Sequence, residues 1–366
     1  FLQVIFTIFV VFSEIKSKEF ETTLIFNAIW LVKHLSTKSL SLQIRPCVMS
    51  RIKKEVTIYD IAAQLDVSVA TVSRALRDDP VVSVKTKKKV FDLAEKYGYQ
   101  TNQFARNLRK QQTNTIGVII PRLNSYFMAA VIAGIEQVAN QAGYNLIISQ
   151  SSESAERESI NVRTMFNNRV DGLLVSLSYH TNNLDSFEKF AQKNIPVIFF
   201  DRTPESSTFT NIRINNVQAG YEATKHLLSK GRRRIVHVTV SSTESVYRER
   251  FRGYAQALAE FSVPLDMNLV YLGDLSLESG ADAAKFIHAL PQRPDGVFVA
   301  NDNCAAGCVI GLKAHGLRVP DDIAVVGFND DPVSRIVDPN LTTIHYPGHE
   351  MGELAARSLI NHLNGA

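Results

Sequence analysis

The apolar residues of this chain follow two different spacings. Upstream of residue 100 they recur at i, i+3, i+4 and i+7, the spacing of one helix face. One such stripe consists of Ile58, Ile61, Ala62 and Leu65, and a second of Val90, Leu93, Ala94 and Tyr97. From Thr115 onward, short apolar runs alternate with amphipathic segments, as in buried parallel strands separated by helices. The pattern predicts a small helical module followed by a larger α/β body.

A further short helix is expected between the two stripes. Thr57 is well placed to cap the first helix, the stretch "DVS" ends it, and Val69 to Arg77 form the next, with Val72 and Leu76 facing inward. Three short helices with a tight turn between the first two make a helix-turn-helix, whose second helix lies in the major groove of DNA.

The outer face of that second helix is small and polar. It carries Val69, Ala70, Thr71, Ser73 and Arg74. Hydroxyls and arginine bond bases or phosphates, and small apolar groups meet thymine methyls. Lysines 85, 87, 88 and 89 add charge near the first turn of the next helix. A three-helix bundle that simply packs would explain the apolar stripes but not this basic face.

The charge of the chain is unevenly placed, although its net value is only +4. Residues 49–110 contain 13 Lys and Arg against 7 Asp and Glu, whereas residues 111–366 contain 22 against 26. A basic module before a mildly acidic body indicates a nucleic-acid partner for the module.

Eight apolar runs in two series predict the strands of the body. They are "TIGVII", "YNLIIS", "VDGLLVS" and "IPVIFFD", then "RIVHVTV", "NLVYLGD", "DGVFVAND" and "IAVVGFND". Two such series predict two doubly wound parallel sheets, and ligands of such sheets bind beyond the carboxyl ends of the strands. The residues there include aromatic rings, acids and arginines, a combination that suits a polyhydroxyl or heterocyclic ligand.

Two stretches make the sequence resemble a known family. "VTIYDIAAQLDVSVATVSRALRDD" and "VFVANDNCAAGCVIGLKAHGLRVPDDIAVVGFNDDP" are similar to the lactose and galactose repressor (LacI/GalR) family of bacterial transcription regulators, and the similarity runs from about Val56 to the end. The resemblance implies an α/β protein in which an N-terminal helix-turn-helix domain and a hinge helix precede a two-lobed sensor like the periplasmic binding proteins.

The resemblance also implies site residues. Those expected on DNA are Thr57, Tyr59, Ser68, Val69, Ala70, Thr71, Ser73, Arg74, Asn102, Ala105, Arg106 and Leu108. Those expected on the effector are Tyr126, Phe127, Asp201, Arg250, Leu275 and Asp302. Phe127 is expected to stack on the ligand. Some relatives have an aromatic residue at the position of Leu275, so a stacked ring on that side is not expected here.

The segment from Thr101 to Thr115 has two interpretations. It is polar and basic, which is typical of a linker, and short helices are marginal in water. The family has a hinge helix here that pairs with its twin and kinks the operator. In that interpretation Leu108 is an apolar wedge in the minor groove, with Arg106 and Arg109 on phosphates.

The expected organisation has six segments. Residues 1–48 are expected to be upstream sequence, because the first methionine is Met49 and the apolar stretch "FLQVIFTIFVVF" is too short for a membrane span and makes a poor signal peptide. A membrane anchor is the alternative interpretation of this segment. Then follow the DNA-binding domain (49–100), the hinge (101–114), the first lobe (115–213), the second lobe (214–341) and a crossover back to the first lobe (342–366). We expect the family's final strand to be missing.

The remaining expectations concern partners and chemistry. No catalytic or metal-binding motif is recognisable, so we expect neither an enzyme nor a cofactor. Cys304 and Cys308 are expected to be buried thiols, which fits a cytoplasmic protein. The expected partners are a palindromic operator, a sugar or sugar derivative, and a second copy of the chain, with pairing of dimers into tetramers left open. Helices flanking the first-lobe strands, including Met128 to Asn140, are candidates for the dimer face. A periplasmic-type sugar-binding protein is the rival interpretation, which the helical module opposes.

Overall fold

A computed structural model describes residues 56–99, 112–204, 208–240 and 246–365 of the chain. The chain divides into two compact units, Phe1–Thr101 and Asn102–Ala366. Below, the described part of the first unit is called the helical module and that of the second unit the sensor body. Each is described by itself.

The helical module contains three helices, α1 (Ile58–Leu65), α2 (Val69–Ala75) and α3 (Val84–Lys96). The residues predicted to face inward supply most of its core, since Ile61, Val72 and Val90 are fully buried, but Tyr97 of the second predicted stripe is 39% exposed. Residue 75 was not expected inside, but Ala75 is also fully buried. The second helix ends at Ala75, two residues before the predicted end.

Local signals in the sequence set the helix boundaries. Thr57 donates its backbone N–H and its hydroxyl to the carboxylate of Asp60, at 2.7 and 2.6 Å, so Thr57 and Asp60 together fix the start of α1. Asp66 adopts a left-handed conformation, with φ of 52°, and ends α1. Ser68 then caps α2, because its Oγ accepts the backbone N–H of Thr71 at 3.1 Å.

The first lobe of the sensor body is built on a five-stranded parallel sheet. Its strands are β1 (Thr115–Ile120), β2 (Asn145–Gln150), β3 (Gly172–Val175), β4 (Val197–Phe200) and β5 (Thr210–Ile212), in the order β2-β1-β3-β4-β5. The helices that connect them are α4 (Tyr126–Gln141), α5 (Ala155–Asn167) and α6 (Glu188–Gln192), with a 3₁₀ turn at Asp185–Phe187. Along β1, Val118 and Ile119 point into the cores on opposite faces of the sheet.

The second lobe repeats this architecture. Its strands are β6 (Ile235–Thr239), β7 (Val270–Leu272), β8 (Gly296–Val299), β9 (Ala324–Asn329) and β10 (Thr342–His345), all parallel and in the order β10-β9-β8-β6-β7. Its helices are α7 (Asn216–Ser229), α8 (Val246–Glu260), α9 (Leu277–Ala289) and α10 (Asp302–Ala314), with 3₁₀ turns at Met267–Leu269 and Pro332–Arg335.

The last described helix, α11 (Gly348–Leu363), returns to the first lobe and packs on α4. The eight predicted strands and the two-sheet architecture are therefore confirmed. Two short strands, β5 and β10, were not predicted. Strand β10 pairs with β9, so the part of the expected crossover that begins at Thr342 belongs to the second sheet, and the chain leaves that sheet only after His345.

Helix α4 contains the segment expected at a dimer face. Its inward face, which includes Met128, Val131, Ile135 and Val138, is buried against the core and α11. That face is not available to a partner. Only the outward positions of α4 remain for such a contact.

Glycine sets the distance between two helices of the second lobe. A Cβ on Gly220 of α7 would collide with the carbonyl of Arg250 in α8, and one on Gly253 of α8 would collide with the carbonyl of Val217 in α7. Both obstacles are backbone, so the two helices can approach this closely only with glycine at the contact. Among the described residues, no helix is long and apolar enough to cross a membrane.

Candidate functional site

The first candidate site is the outer face of α2. Ser68, Ala70 and Arg74 are exposed, whereas Val69, Thr71 and Ser73 are half-buried. Three hydroxyls already have partners within the module: Ser68 Oγ and Thr71 Oγ1 are 2.8 Å apart, and Ser73 Oγ accepts a bond from the guanidinium of Arg77 at 2.8 Å. Among the described residues the Arg74 guanidinium has no hydrogen-bond or ion-pair partner.

Groups beside α2 extend this surface. Tyr59 on α1 is 69% exposed, and the hydroxyl of Thr57 is occupied by Asp60. Of the four lysines near the first turn of α3, three are exposed. The fourth, Lys87, binds the carboxylate of Asp78 at 2.6 Å and its carbonyl at 2.9 Å, which fixes the turn between α2 and α3. Lys87 is therefore a structural residue.

The remaining residues expected on DNA lie outside the described residues. They are Asn102, Ala105, Arg106 and Leu108. The hinge interpretation of this segment stays a prediction.

The second candidate site lies between the two lobes of the sensor body, around Tyr346, which no sequence motif had indicated. Its ring stacks on Phe127 of the first lobe with centroids 4.1 Å apart and meets Phe328 of the second lobe edge-on at 5.8 Å. Its hydroxyl donates to Asp201 Oδ1 at 2.7 Å, and Ser176 Oγ donates to Asp201 Oδ2 at 3.2 Å. Tyr346 thus joins the lobes at the point where the chain crosses between them.

Arg250 reaches the same place from α8. Its side chain is 2% exposed, and its guanidinium carbon lies 3.5 Å from the ring centroid of Phe328 and 5.6 Å from that of Tyr346. Arg250 donates to the carbonyl of Ala300 at 2.8 Å and to Asn216 Oδ1 at 3.1 Å. These contacts hold a buried cation against aromatic faces and carbonyl dipoles.

Asp302 is fully buried at the first turn of α10. Its carboxylate accepts the hydroxyl of Thr343 at 2.7 Å and the backbone N–H of Asp331 at 2.8 Å. Burial raises the pKa of Asp302, although these hydrogen bonds oppose the change. Burial also raises the pKa of neighbouring Asp331 to about 6. The N-cap of α10 is Asn301, whose Oδ1 accepts the N–H of Cys304 at 2.7 Å.

The other expected effector residues differ in accessibility. Tyr126 is 59% exposed, whereas Phe127 is 6% exposed and has one ring face against Tyr346. Leu275 is 4% exposed and packs in the second-lobe core, and its carbonyl accepts the side-chain amide of Asn301 at 3.1 Å. The structure therefore gathers Phe127, Asp201 and Arg250 around Tyr346, and it places the Leu275 side chain in the core.

A cavity of about 500 Å³ opens beside Asp201. First-lobe residues line most of it, and Arg213, Val246 and Glu249 complete it; of the expected effector residues, only Asp201 lines it. Five of the first-lobe side chains are neutral and polar, namely Ser178, Thr181, Asn182, Asn183 and Thr203. The cavity is therefore large enough for a small organic ligand and rich in hydrogen-bonding groups.

The arginines that line this cavity are already paired with carboxylates. The Nη1 of Arg202 lies 3.0 and 2.8 Å from the two carboxylate oxygens of Glu153, and Arg213 binds Glu249 at 3.2 Å. The guanidinium of Arg202 also lies 3.9 Å from the ring centroid of Tyr179. By contrast, the buried atoms Arg202 Nε and Thr203 Oγ1 have no hydrogen-bond partner among the residues that the structure describes. Such atoms are costly unless a ligand or water satisfies them.

Tyr247 completes the contact between the lobes here, since its hydroxyl is 3.3 Å from that of Tyr179. Sequence reasoning did not select Tyr179, Arg202, Tyr247 or Tyr346. A signal existed for Arg202, which directly follows Asp201 at a strand end. Tyr346 lies beyond a strand that the sequence did not reveal, so its position could not have been found that way.

The described residues include two of the three cysteines of the chain. Cys304 and Cys308 are buried free thiols, as expected, and burial raises the pKa of Cys304 to about 12, which suppresses its reactivity. Among residues 56–99, 112–204, 208–240 and 246–365, no three acids, histidines or cysteines converge as metal ligands would.

Comparison with known families gives two matches. The family described as "Bacterial regulatory proteins, lacI family" matches residues 57–102, and "Periplasmic binding protein-like domain" matches residues 224–366. Among curated relatives, the chain is 32% identical to the catabolite control protein A of Priestia megaterium over 310 residues, covering 84% of this chain and 93% of that protein. It is 34% identical over 305 residues to the transcriptional repressor PurR of Photobacterium profundum, covering 83% and 91%.

Solved structures of transcriptional regulators are also similar to this chain. A lac repressor dimer bound to operator and the anti-inducer ONPF has a TM-score of 0.74 and 28% identity, with 85% of this chain and 94% of that chain covered. The complex of the transcriptional regulator CelR with cellobiose has a TM-score of 0.62 and 26% identity, with the same coverage. The similarity to each extends over both the helical module and the sensor body.

Proposed function

The chain belongs to the lacI family of DNA-binding transcriptional regulators, and we propose that it is a repressor whose affinity for a palindromic operator is set by a sugar or sugar derivative bound between the lobes. It is not an enzyme, as its relatives are regulators. We further propose that it acts as a homodimer, since an operator palindrome mirrors a two-fold axis.

The outer face of α2 supports the proposed DNA contact. Ala70 is exposed at the N-terminal end of the helix and can approach base edges closely, and Arg74 is free to form a forked contact with guanine or phosphate. The exposed lysines at the start of α3 add the sequence-independent attraction to the DNA backbone.

The cavity of about 500 Å³ supports a neutral polyhydroxyl effector, and it carries this part of the proposal. Its arginines are each paired with a glutamate, so an incoming anion would meet no uncompensated cation. Neutral hydroxyl and amide side chains offer both donors and acceptors, as sugar hydroxyls require. The unpartnered Thr203 Oγ1 and Arg202 Nε are two further groups that a ligand could satisfy.

A pair of matched variants tests the effector site. Sugars are first screened by thermal shift on the full chain. Thr203→Val removes the unpartnered hydroxyl with almost no change in shape, so we expect unliganded stability to be unchanged or slightly raised and the affinity for the best sugar to fall about five- to tenfold. Thr208→Val makes the same change at an exposed position outside the lining and should leave the affinity unchanged. Equal affinities in the two variants would place the effector elsewhere.

The regulatory part needs a DNA readout. Operator fragments selected from random DNA by the unliganded protein are titrated with and without the best sugar. A repressor of the proposed kind should release its operator, or bind it more tightly, by at least about tenfold when the sugar is present. No change in operator affinity at a saturating sugar concentration would contradict the proposal.

A further inference from the structure

The cavity of about 500 Å³ beside Asp201, proposed above to bind the effector, is called the effector cavity below. A second cavity, of about 410 Å³, lies at the opposite end of the second lobe from it. Ala324 and Thr342, which begin β9 and β10, line it, whereas the residues around Tyr346 and Arg250 lie at the carboxyl ends of these strands. A six-residue parallel strand rises about 3.3 Å per residue, so roughly 17 Å of sheet separate the two ends. The two cavities are therefore distinct.

The walls of this second cavity are apolar and its rim is basic. The apolar lining consists of Leu227, Val319, Pro320, Ala324, Val325, Val326, Pro339 and Leu341. Three basic residues, His226, Lys230 and Arg232, line the cavity where α7 ends, and no acidic residue lines it. An apolar cavity whose rim carries charge of one sign is suited to a molecule with an apolar body and a charged group.

In the described part of the chain, no carboxylate pairs with the positive charge at this rim. There, the guanidinium of Arg232 donates only to backbone carbonyls, those of Pro320 at 2.8 Å and Asp321 at 3.2 Å. Lys230 is exposed, and among the described residues no ion pair includes it. The last carbonyls of α7 are also occupied, because the backbone N–H groups of Lys230 and Arg232 donate to the carbonyl of Leu227 at 3.1 Å each.

Neighbouring acids are engaged with other groups. Asp322 binds Arg318 at 2.7 Å, Asp338 binds Lys313 at 2.8 Å, and Asp295 accepts the backbone N–H groups of Arg233 and Arg234. The acids near the rim thus leave its cations without carboxylate partners. This contrasts with the effector cavity, where each lining arginine is paired with a glutamate.

We propose that this cavity is a second small-molecule site, which binds an organic anion in which a carboxylate or phosphate ester is attached to an apolar body. The apolar walls hold the body, Arg232 is held by two carbonyls in a fixed orientation, and Lys230 approaches the anion from the rim. This site goes beyond the proposed function and does not depend on it.

Phenyl phosphate is the probe, because it combines a ring with a phosphate ester. Inorganic phosphate and phenol each supply one half of it. We expect saturable binding of phenyl phosphate to the full chain by calorimetry, at least about tenfold tighter than either control. No binding at up to about 10 mM, or binding no tighter than that of inorganic phosphate or of phenol, would overturn the proposal.

Two charge reversals locate the site. Lys230→Glu should weaken the binding of phenyl phosphate at least about tenfold, because it replaces an attractive charge by a repulsive one. Lys189→Glu makes the same change on an exposed first-lobe helix and should leave binding unchanged. A third variant, Thr342→Phe, places a ring over the cavity from an exposed lining position and should abolish the binding of phenyl phosphate. If Lys230→Glu and Lys189→Glu bind phenyl phosphate alike, the basic rim is not the site.

Discussion

Removing one hydroxyl, in Tyr346→Phe, should destabilise the sensor body out of proportion to the size of the change. The Tyr346 hydroxyl donates to the buried carboxylate of Asp201 at 2.7 Å, and the tyrosine is 4% exposed. Ser176 at 3.2 Å would be the remaining side-chain donor to that carboxylate. A hydrogen bond to a charged group contributes about 1.5–3 kcal/mol, and we expect a loss in this range.

Two other tyrosines provide matched controls. Tyr254 donates to the carbonyl of Ile235 at 2.8 Å in the core, a buried but neutral bond. Tyr221 donates to Glu260 at 2.6 Å, a charged but solvent-exposed bond. Tyr254→Phe should cost about 0.5–1.5 kcal/mol and Tyr221→Phe less than about 1 kcal/mol. The order of the three losses separates the contribution of burial from that of charge.

The assay is urea unfolding of the full chain followed by circular dichroism, with thermal unfolding as a second readout. For a body of this size each kcal/mol shifts the melting temperature by about 2–4 °C, so Tyr346→Phe should lower it by roughly 3–12 °C. A double-mutant cycle with Asp201→Asn then isolates the pair. If Tyr346→Phe costs no more than Tyr221→Phe, the bond to Asp201 does not hold the lobes together and the reasoning fails.

Three further changes test other parts of the structure. Gly220→Ala should lower the free energy of unfolding in urea by about 1–3 kcal/mol, because the added Cβ collides with the backbone of Arg250. The added Cβ of Gly296→Ala contacts only side-chain atoms, the nearest at 3.2 Å, so this variant should lose less stability. Burial lowers the pKa of His237 to about 4, so the wild type should lose stability as the pH falls from about 6.5 to 4. His237→Phe should remove up to about 3 kcal/mol of that loss. If the pH dependence of stability is the same in His237→Phe as in the wild type, this explanation is wrong. In gel-shift assays, Leu108→Ala should weaken specific operator binding and DNA bending while barely changing non-specific binding. Arg109→Ala should weaken specific and non-specific binding alike and lower the slope of affinity against salt concentration by about one unit. If Leu108→Ala binds and bends the operator like the wild type, the segment is only a linker.

Hydrophobic patterning predicted the elements of the fold well because most of them bury a continuous or periodic apolar face. The stripes around Ile61 and Val90 became the core of the helical module, and the eight apolar runs became strands. Strands β5 and β10 escaped prediction because each contains a single apolar residue, Ile212 and Ile344 respectively, and such short polar strands leave little apolar signal in a sequence.

The candidate site was only partly predictable, because its geometry depends on long-range contacts. The motif around Asp302 pointed to a pocket residue, but the sequence could not reveal that Thr343 and Asp331 would already occupy its carboxylate. Similarly, the ring of Phe127 was expected to meet a ligand, yet Tyr346 covers one face of it from more than 200 positions away. Aromatic and acidic residue types suggest recognition chemistry, but their partners are decided only by the fold.

We expect the network around Tyr346 to couple ligand affinity to lobe geometry in this protein. Asp201 lines the effector cavity and also accepts the hydroxyl that holds the lobe crossing. A ligand that competes for this carboxylate would alter the contact between the lobes, and it can shift their equilibrium only by its difference in affinity for the two arrangements. Thr203 lines the same cavity without any bond to that network. We therefore expect Thr203→Val to weaken effector binding while preserving the maximal response of the operator complex. Tyr346→Phe should instead change the maximal response itself. Titration of effector against the operator complex distinguishes the two effects, and identical response curves for both variants would contradict the coupling.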